Sequence, residues 1–290
     1  SYTVPDEYLT DNFKFRFYLQ NFGGSGEYCH IDNFTVAEMV FTPDTSVIFK
    51  INDDQIYLDG DGNPRIGNEE ITASKSSVLE NEPGEYSYAC YLDVSKLVKE
   101  FSDLGDDDNH TGNGKYTVGG VDADTGNQWS YAGWSLIIIY SSPSELAHQF
   151  FLYDQFLYAS GGSSHTFTIE GFEAPADAEA VLTCFVGEGD DHYNDDYLQF
   201  NNYYLSDATN PEDDVWNGKS SGLGGLAIDG VDIDTFDVSS PIIQPGDTSA
   251  GVTLTTDTDC WNLVYIILGF RSEYGGLTPN SAGIISYNYN

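Results

Sequence analysis

The segment Tyr131-Ala-Gly-Trp134-Ser-Leu-Ile-Ile-Ile-Tyr140 joins a glycine turn to an unbroken apolar run of strand length. Leu136 to Ile139 show no alternation of apolar and polar residues. That pattern predicts a strand covered on both faces, and therefore a sheet packed inside a substantial fold. The chain around it carries 47 Asp and Glu against 10 Lys and Arg. The acid is expected on the surface and in loops, around a β core.

Strand signals recur along the 290 residues. Phe13-Lys-Phe15-Arg-Phe17-Tyr-Leu19 alternates with period two, and Thr35 to Phe41, Val47 to Leu58 and Tyr86 to Leu92 follow between Pro, Gly, Asn and Asp clusters. Asp93 is placed to cap a short helix whose Leu97, Val98, Phe101 and Leu104 recur at helical spacing before Gly105. A strand around Lys115 to Val118 precedes the central run, and Ser141-Ser-Pro143-Ser reads as a seam. Beyond it, strands are predicted at His165 to Phe172, Ala178 to Gly187, Tyr197 to Leu205, Asp232 to Val238, Gly251 to Thr256, Trp261 to Phe270 and Gly283 to Tyr289. The expected fold is all-β: one or two antiparallel β-sandwich, jelly-roll-like units with one short helix. The halves are 1–142 and 143–290, separate or packed as one. Val47 to Leu58 and Val181 to Leu205 echo each other as strand, acidic turn and strand, which either a duplication or a shared hairpin habit explains.

A formal charge of -37 repels nucleic-acid phosphates and anionic headgroups, which excludes nucleic acid as a partner. No run approaches the roughly 20 apolar residues of a membrane span, so direct insertion by a helix is not expected. Carboxylates at this density either form a solvated face or collect divalent cations. No cofactor is required by the sequence, and calcium is the ion to consider. Asp59-Gly-Asp61-Gly-Asn63 opens like a calcium loop, but Pro64 takes the place of the needed glycine and no Glu follows at the required spacing. Asp190-Asp191 with Asp195-Asp196, and Asp232 with Asp234, are further oxygen-rich turns. Asx turns account for all three without metal.

Ser1 opens the sequence with neither an initiator Met nor an apolar leader, which reads as a mature exported protein or as a trimmed chain. In an exported chain, Cys29, Cys90, Cys184 and Cys260 read as two disulfides, most simply Cys29–Cys90 and Cys184–Cys260. Four cysteines permit three connectivities within the chain, intermolecular bridges are a further possibility, and buried free thiols are the alternative. The sequons at Asn33 and Asn109 could carry glycan, Asn109 in the more exposed setting, although short sequons also arise by chance.

No catalytic constellation emerges. There is no G-x-S-x-G elbow, Gly161-Gly-Ser163-Ser164-His165 reads as a turn, and five scattered His show no zinc-protease spacing. Abundant acids do not by themselves make the carboxylate pair of a glycosidase. A carbohydrate-binding sandwich would use exposed Trp129, Trp216 and the Tyr203-Tyr204 pair to stack on sugar rings.

Two segments resemble a family of exported archaeal, mainly methanogen, and some bacterial surface proteins. They are Tyr88-Ala-Cys90-Tyr91-Leu-Asp93-Val-Ser-Lys-Leu97-Val98 and Tyr131 to Tyr140. The similarity continues through Phe150 to Phe156, Gly187 to Asp190, Asp207 to Pro211, Asn217-Gly218 and Gly230 to Asp237, over roughly residues 35 to 275. The resemblance implies a β-sandwich framework at the cell surface more than a reaction. Within it, subunits of the tubular sheath of filamentous methanogens fit the acidic, β-rich, cysteine-bearing character. Many members carry repeat domains or a membrane tail; a chain without either is expected to rely on homopolymerisation. Phe13, Phe15, Phe17 and Leu19 near one end, and Ile284, Tyr287 and Tyr289 near the other, are the expected assembly strands, unless both pair internally.

Overall fold

The computed structural model describes residues 41–82, 84–101, 114–124, 130–139, 146–176, 179–189, 193–228 and 230–272. Within the first 142 residues these form β1 (Ser46–Ile51), β2 (Asp54–Leu58), β3 (Pro64–Ile66), β4 (Ile71–Thr72), β5 (Lys75–Glu82), β6 (Glu85–Tyr91), α1 (Ser95–Phe101) and β7 (Tyr116–Gly119). β1 is the hub of a small antiparallel sheet of order β3-β2-β1-β4, with β7 also on β1, and β5 and β6 form a separate hairpin. The predicted strand over Val47 to Leu58 is thus a tight hairpin, turning at Asn52 with φ 56°, a conformation that Asn tolerates better than most residues. Asp93 accepts the Ser95 amide at 2.8 Å, opening α1 where the sequence placed the cap. Leu97 and Phe101 of α1 pack with Phe49, Ile51, Ile56 and Ile71 into one buried cluster. α1 thus packs on this sheet as its cover.

The second half is β8 (Ala147–Ala159), β9 (Ser163–Glu170), β10 (Glu179–Gly187), β11 (Tyr197–Phe200), β12 (Tyr203–Tyr204), β13 (Lys219–Ser220), β14 (Leu226–Ala227), β15 (Val231–Asp237), β16 (Ser249–Thr256) and β17 (Trp261–Ser272). Two four-stranded antiparallel sheets have orders β15-β10-β17-β8 and β12-β11-β16-β9. From β8 onward the long strands alternate between the two sheets, with only β11 and β12 sharing one. That is the strand order of an eight-stranded jelly roll. Strict alternation builds its core. Ala180, Leu182, Cys184 and Val186 of β10 point inward to meet Leu198, Phe200, Val252 and Leu254 from the facing sheet, with Trp216 and Trp261 crossing edge to face at 6.1 Å.

Three expectations are corrected here. The Trp134 to Ile139 run forms no strand; Trp134 and Ile137 to Ile139 are all exposed. It lies across the outer face of the β10–β17 sheet, with Tyr131 packed on Gly187, Gly133 on Val231, and the Tyr265 hydroxyl bonded to Ser135 Oγ at 3.1 Å. A sheet covered on both faces does exist, but the run is part of its cover. The echo between Val47–Leu58 and Val181–Leu205 is not a shared unit: β1 and β2 pair as a hairpin, whereas β10 and β11 belong to opposite sheets. Nor is Cys184 joined to Cys260, since both are free thiols. The register sets Cys184 opposite Ile266, and the intervening stretch of β17 spans about 20 Å at strand rise, against the roughly 4.4–6.8 Å between Cα atoms that a disulfide allows.

Candidate functional site

A cavity of about 1570 Å³ separates the outer face of the β15-β10-β17-β8 sheet from the β5–β6 hairpin. Leu152, Phe156, Phe185, Tyr265 and Ile267 form one wall, and Tyr86 and Tyr88 stand on the other. Lys75 bonds Asp154 across the gap, and Ser87 Oγ donates to Asn262 Oδ1 at 3.0 Å. Tyr131 donates to the same Asn262 oxygen at 2.6 Å. Burial, and secondarily Glu188, pushes its phenol well above the usual range, so this hydroxyl stays protonated and available to donate.

At one end of the cavity, Glu188 and Cys260 meet Asp259. Strand ends place them: Glu188 follows β10 with φ 75°, and Asp259-Cys260 leads into β17 after the 257–258 turn. Thr256 fixes Asp259 from both sides, accepting its amide at 3.0 Å and donating to its carbonyl at 3.2 Å. The Cys260 amide donates to Asp259 Oδ1 at 2.7 Å. Asp259 Oδ2 is left buried with no donor. Burial and the neighbouring Asp196 carboxyl raise Asp259, because two close buried carboxyls cannot both ionise. Burial, then Glu188 and Asp259, push the Cys260 thiol up to about 12. Asp196, itself fully buried, accepts from Trp261 Nε1 at 3.2 Å.

A second acidic group lies inside β15. Alternation turns Asp232 and Asp234 to the same inner side, both fully buried. Asp232 Oδ1 accepts the Lys219 amide at 3.1 Å; Asp234 Oδ1 accepts the Ser221 amide and Asn210 Nδ2, both at 2.8 Å. The 206–221 segment is folded over β15 by these bonds. Burial, then Asp234, pushes Asp232 up to about 8, and burial pushes Asp234 up to about 6 against its hydrogen bonds.

The other predicted residues divide by place. Asp59 accepts the Asp61 and Asn63 amides at 3.0 and 2.8 Å and meets Arg65 at 2.8 Å. Backbone donors and a guanidinium therefore already satisfy that turn, the first of them depressing the carboxyl. Asp195 is half-buried, whereas its neighbour Asp196 enters the core. Trp216, expected to be exposed, is fully buried; Tyr203 and Tyr204 are exposed as expected. Gly161 to Ser163 make the β8–β9 turn, closed by Ser163 N to Ser160 O at 2.9 Å. Phe13, Phe15, Phe17, Leu19, Cys29, Asn33, Asn109, Trp129, Asp190, Asp191, Ile284, Tyr287 and Tyr289 lie outside the described residues. Sequence reading missed Glu188 and Asp259. Asp259 beside Cys260 is the available signal, but the sequence points to Cys260 as half of a disulfide or as a buried thiol rather than as a ligand.

The fold and site together define an acidic all-β chain built on a jelly roll, with an aromatic cavity on the outer face of one sheet. No protein-family profile and no curated protein matches it. Among solved structures it is similar to a β-porphyranase of glycoside hydrolase family 86 from the human gut bacterium Bacteroides plebeius, at 12% identity and TM-score 0.29 over 79% of this chain. It is also similar to the VP2 subviral particle of infectious bursal disease virus, at 13% identity and TM-score 0.27, covering 85% of this chain and 72% of that one. The chain spans 30% of the length of the porphyranase. At these scores the likenesses carry no argument about function. Among the described residues, no helix is long and apolar enough to cross a membrane.

Proposed function

We propose that the chain is a structural subunit that joins copies of itself into an extracellular sheath or surface layer, with no turnover of its own. One observation carries the reading: Ile137, Ile138 and Ile139 stand 39, 62 and 53% exposed and border the same cavity as the 40% exposed Phe150, on a chain of formal charge -37. Contiguous exposed aliphatics on so acidic a surface suit contact with another protein. Strand edges add to it. β9 and β12 are the two ends of one sheet, so their edges lie on opposite sides of the sandwich, and contacts on two opposite sides are what an open polymer needs. A copy of this chain brings the same charge, so divalent cations, calcium among them, would have to offset the repulsion. The Cys184–Cys260 pair contributes no lock to this assembly. Sedimentation and electron microscopy across ionic strength and added calcium test the proposal; a particle that stays monomeric under all these conditions overturns it.

The cavity favours a second reading, a carbohydrate-binding module, because Trp134, Tyr86, Tyr88 and Tyr158 all line it. Glycan-array binding by a monomeric chain, abolished in Trp134→Ala, would select that reading over assembly.

A further inference from the structure

We propose that Glu188, Asp259 and Cys260 form a binding site for a borderline divalent metal ion of the zinc class, open to the outer cavity. Among the described residues this is the one trio of His, Cys, Asp or Glu whose ligand atoms all lie within 4.8 Å of one another. The spacing fits the ion. Around a tetrahedral centre with sulfur at about 2.3 Å and carboxylate oxygen at about 2.1 Å, those two atoms lie about 3.6 Å apart. Cys260 Sγ and Glu188 Oε2 already stand 3.5 Å apart.

A separate observation points to a ligand. Asp259 is 3% exposed; no N–H donor reaches its Oδ2, and the Asp196 carboxyl bonds its side chain only when one of the two is protonated. A buried carboxylate oxygen without a donor is costly unless a proton or a cation meets it. The remaining atoms of Asp259 are already committed: Oδ1 to the Cys260 amide, the backbone N–H and C=O to Thr256. Only Oδ2 is left, for a proton shared with Asp196 or for a cation.

The donor set selects the ion. Calcium and magnesium take oxygen ligands and avoid sulfur, whereas one thiolate with two carboxylates suits zinc. Binding releases the Cys260 thiol proton to solvent. Glu188 and Cys260 both line the cavity, so three protein ligands leave a fourth position for water on that side. The site shares the cavity with the exposed Ile137–Ile139 run but uses none of those residues, so the proposal stands or falls independently of assembly.

Chelator-stripped full chain titrated with Zn2+ should bind one equivalent and unfold at higher temperature. Co2+ in its place should give tetrahedral d–d absorption and a thiolate-to-cobalt charge-transfer band. Cys260→Ser should abolish that band, and Cys90→Ser should retain it. Glu188→Gln, folded as judged by circular dichroism, should weaken binding by about tenfold or more, the scale on which single groups tune metal sites. No Zn2+ uptake at millimolar concentration would mean that Asp259 and Asp196 share only a proton, and would overturn the proposal. A charge-transfer band that survives Cys260→Ser would overturn it equally.

Discussion

Gly189 stands directly against Asp232: a Cβ built on it would lie 1.9 Å from Asp232 Oδ2 and 2.8 Å from the Trp216 carbonyl oxygen. The requirement is for space, since both neighbours are buried and Asp232 is held by the Lys219 amide. Gly189→Ala should therefore cost about 1–3 kcal/mol, the usual range for overpacking a core. Gly251→Ala is the control, because nothing lies within 4 Å of its added Cβ, and it should stay within about 0.5 kcal/mol of the parent. Urea denaturation of the two variants checks this; equal stabilities would refute the close approach.

The buried pair on β15 gives stability a definite dependence on pH. Asp232 titrates at about 8 and Asp234 at about 6 in the folded chain, against about 3.9 in an unfolded one. The folded state therefore holds more protons between those values, and its stability falls as pH rises. The contribution is complete below about pH 4 and is lost as pH passes each folded value, with a slope of at most about 1.4 kcal/mol per pH unit for each group. Thermal unfolding should occur at lower temperature at pH 8 than at pH 5. Asp232→Asn should flatten the decline above pH 6. Asp59 and Asp93, whose carboxyls are depressed by hydrogen bonds, act in the opposite sense only at more acidic pH. A decline that survives unaltered in Asp232→Asn would assign it to Asp259, whose carboxyl is raised in the same sense, or to general charge repulsion.

Residues that alternate under one buried face were readable in advance. β9, β15, β16 and β17 lie where period-two patterns and flanking Gly and Asp placed them, and α1 begins at its predicted cap. β5 was not legible, because Lys75-Ser-Ser-Val-Leu-Glu-Asn-Glu82 is a polar hairpin strand held by its partner β6. β8 was overlooked for the opposite reason: its aromatic and aliphatic residues occupy both faces, and no simple alternation survives. The Trp134 to Ile139 run misled, since a strand covered on both faces and a segment laid over a sheet carry the same apolar composition. The candidate site was legible only in fragments. Glu188 and Asp259 are 71 positions apart in the sequence, and only the β10–β17 pairing brings them together.

Thr256 and Asp259 make a local prediction. The fully buried Thr256 hydroxyl is both donor and acceptor to the backbone of Asp259. Thr256→Val keeps the shape and removes both bonds, leaving a buried amide and carbonyl unpaired. A loss of about 1–3 kcal/mol is expected. Amide exchange should accelerate at Asp259 before β17 itself, and protection that stays uniform would show that the Asp259 turn is held by other contacts.

Association should be sensitive to the exposed aliphatic run and insensitive to its buried neighbours. Ile138 is 62% exposed, so Ile138→Asp removes little packing from the monomer, and its folding stability should change by no more than about 0.5 kcal/mol. The same carboxylate at a contact between copies would be desolvated beside an already acidic surface, which opposes association far more strongly than it perturbs the monomer. Sedimentation should therefore shift toward monomer at concentrations where the parent chain assembles, with an unchanged unfolding curve. Phe150→Ser, at a second exposed position bordering the cavity, should act in the same direction. Tyr203→Ser, on the exposed β12, reports on the opposite edge of the sandwich. If Ile138→Asp assembles as the parent does, the run is not the contact, and the weight of the assembly proposal moves to the strand edges.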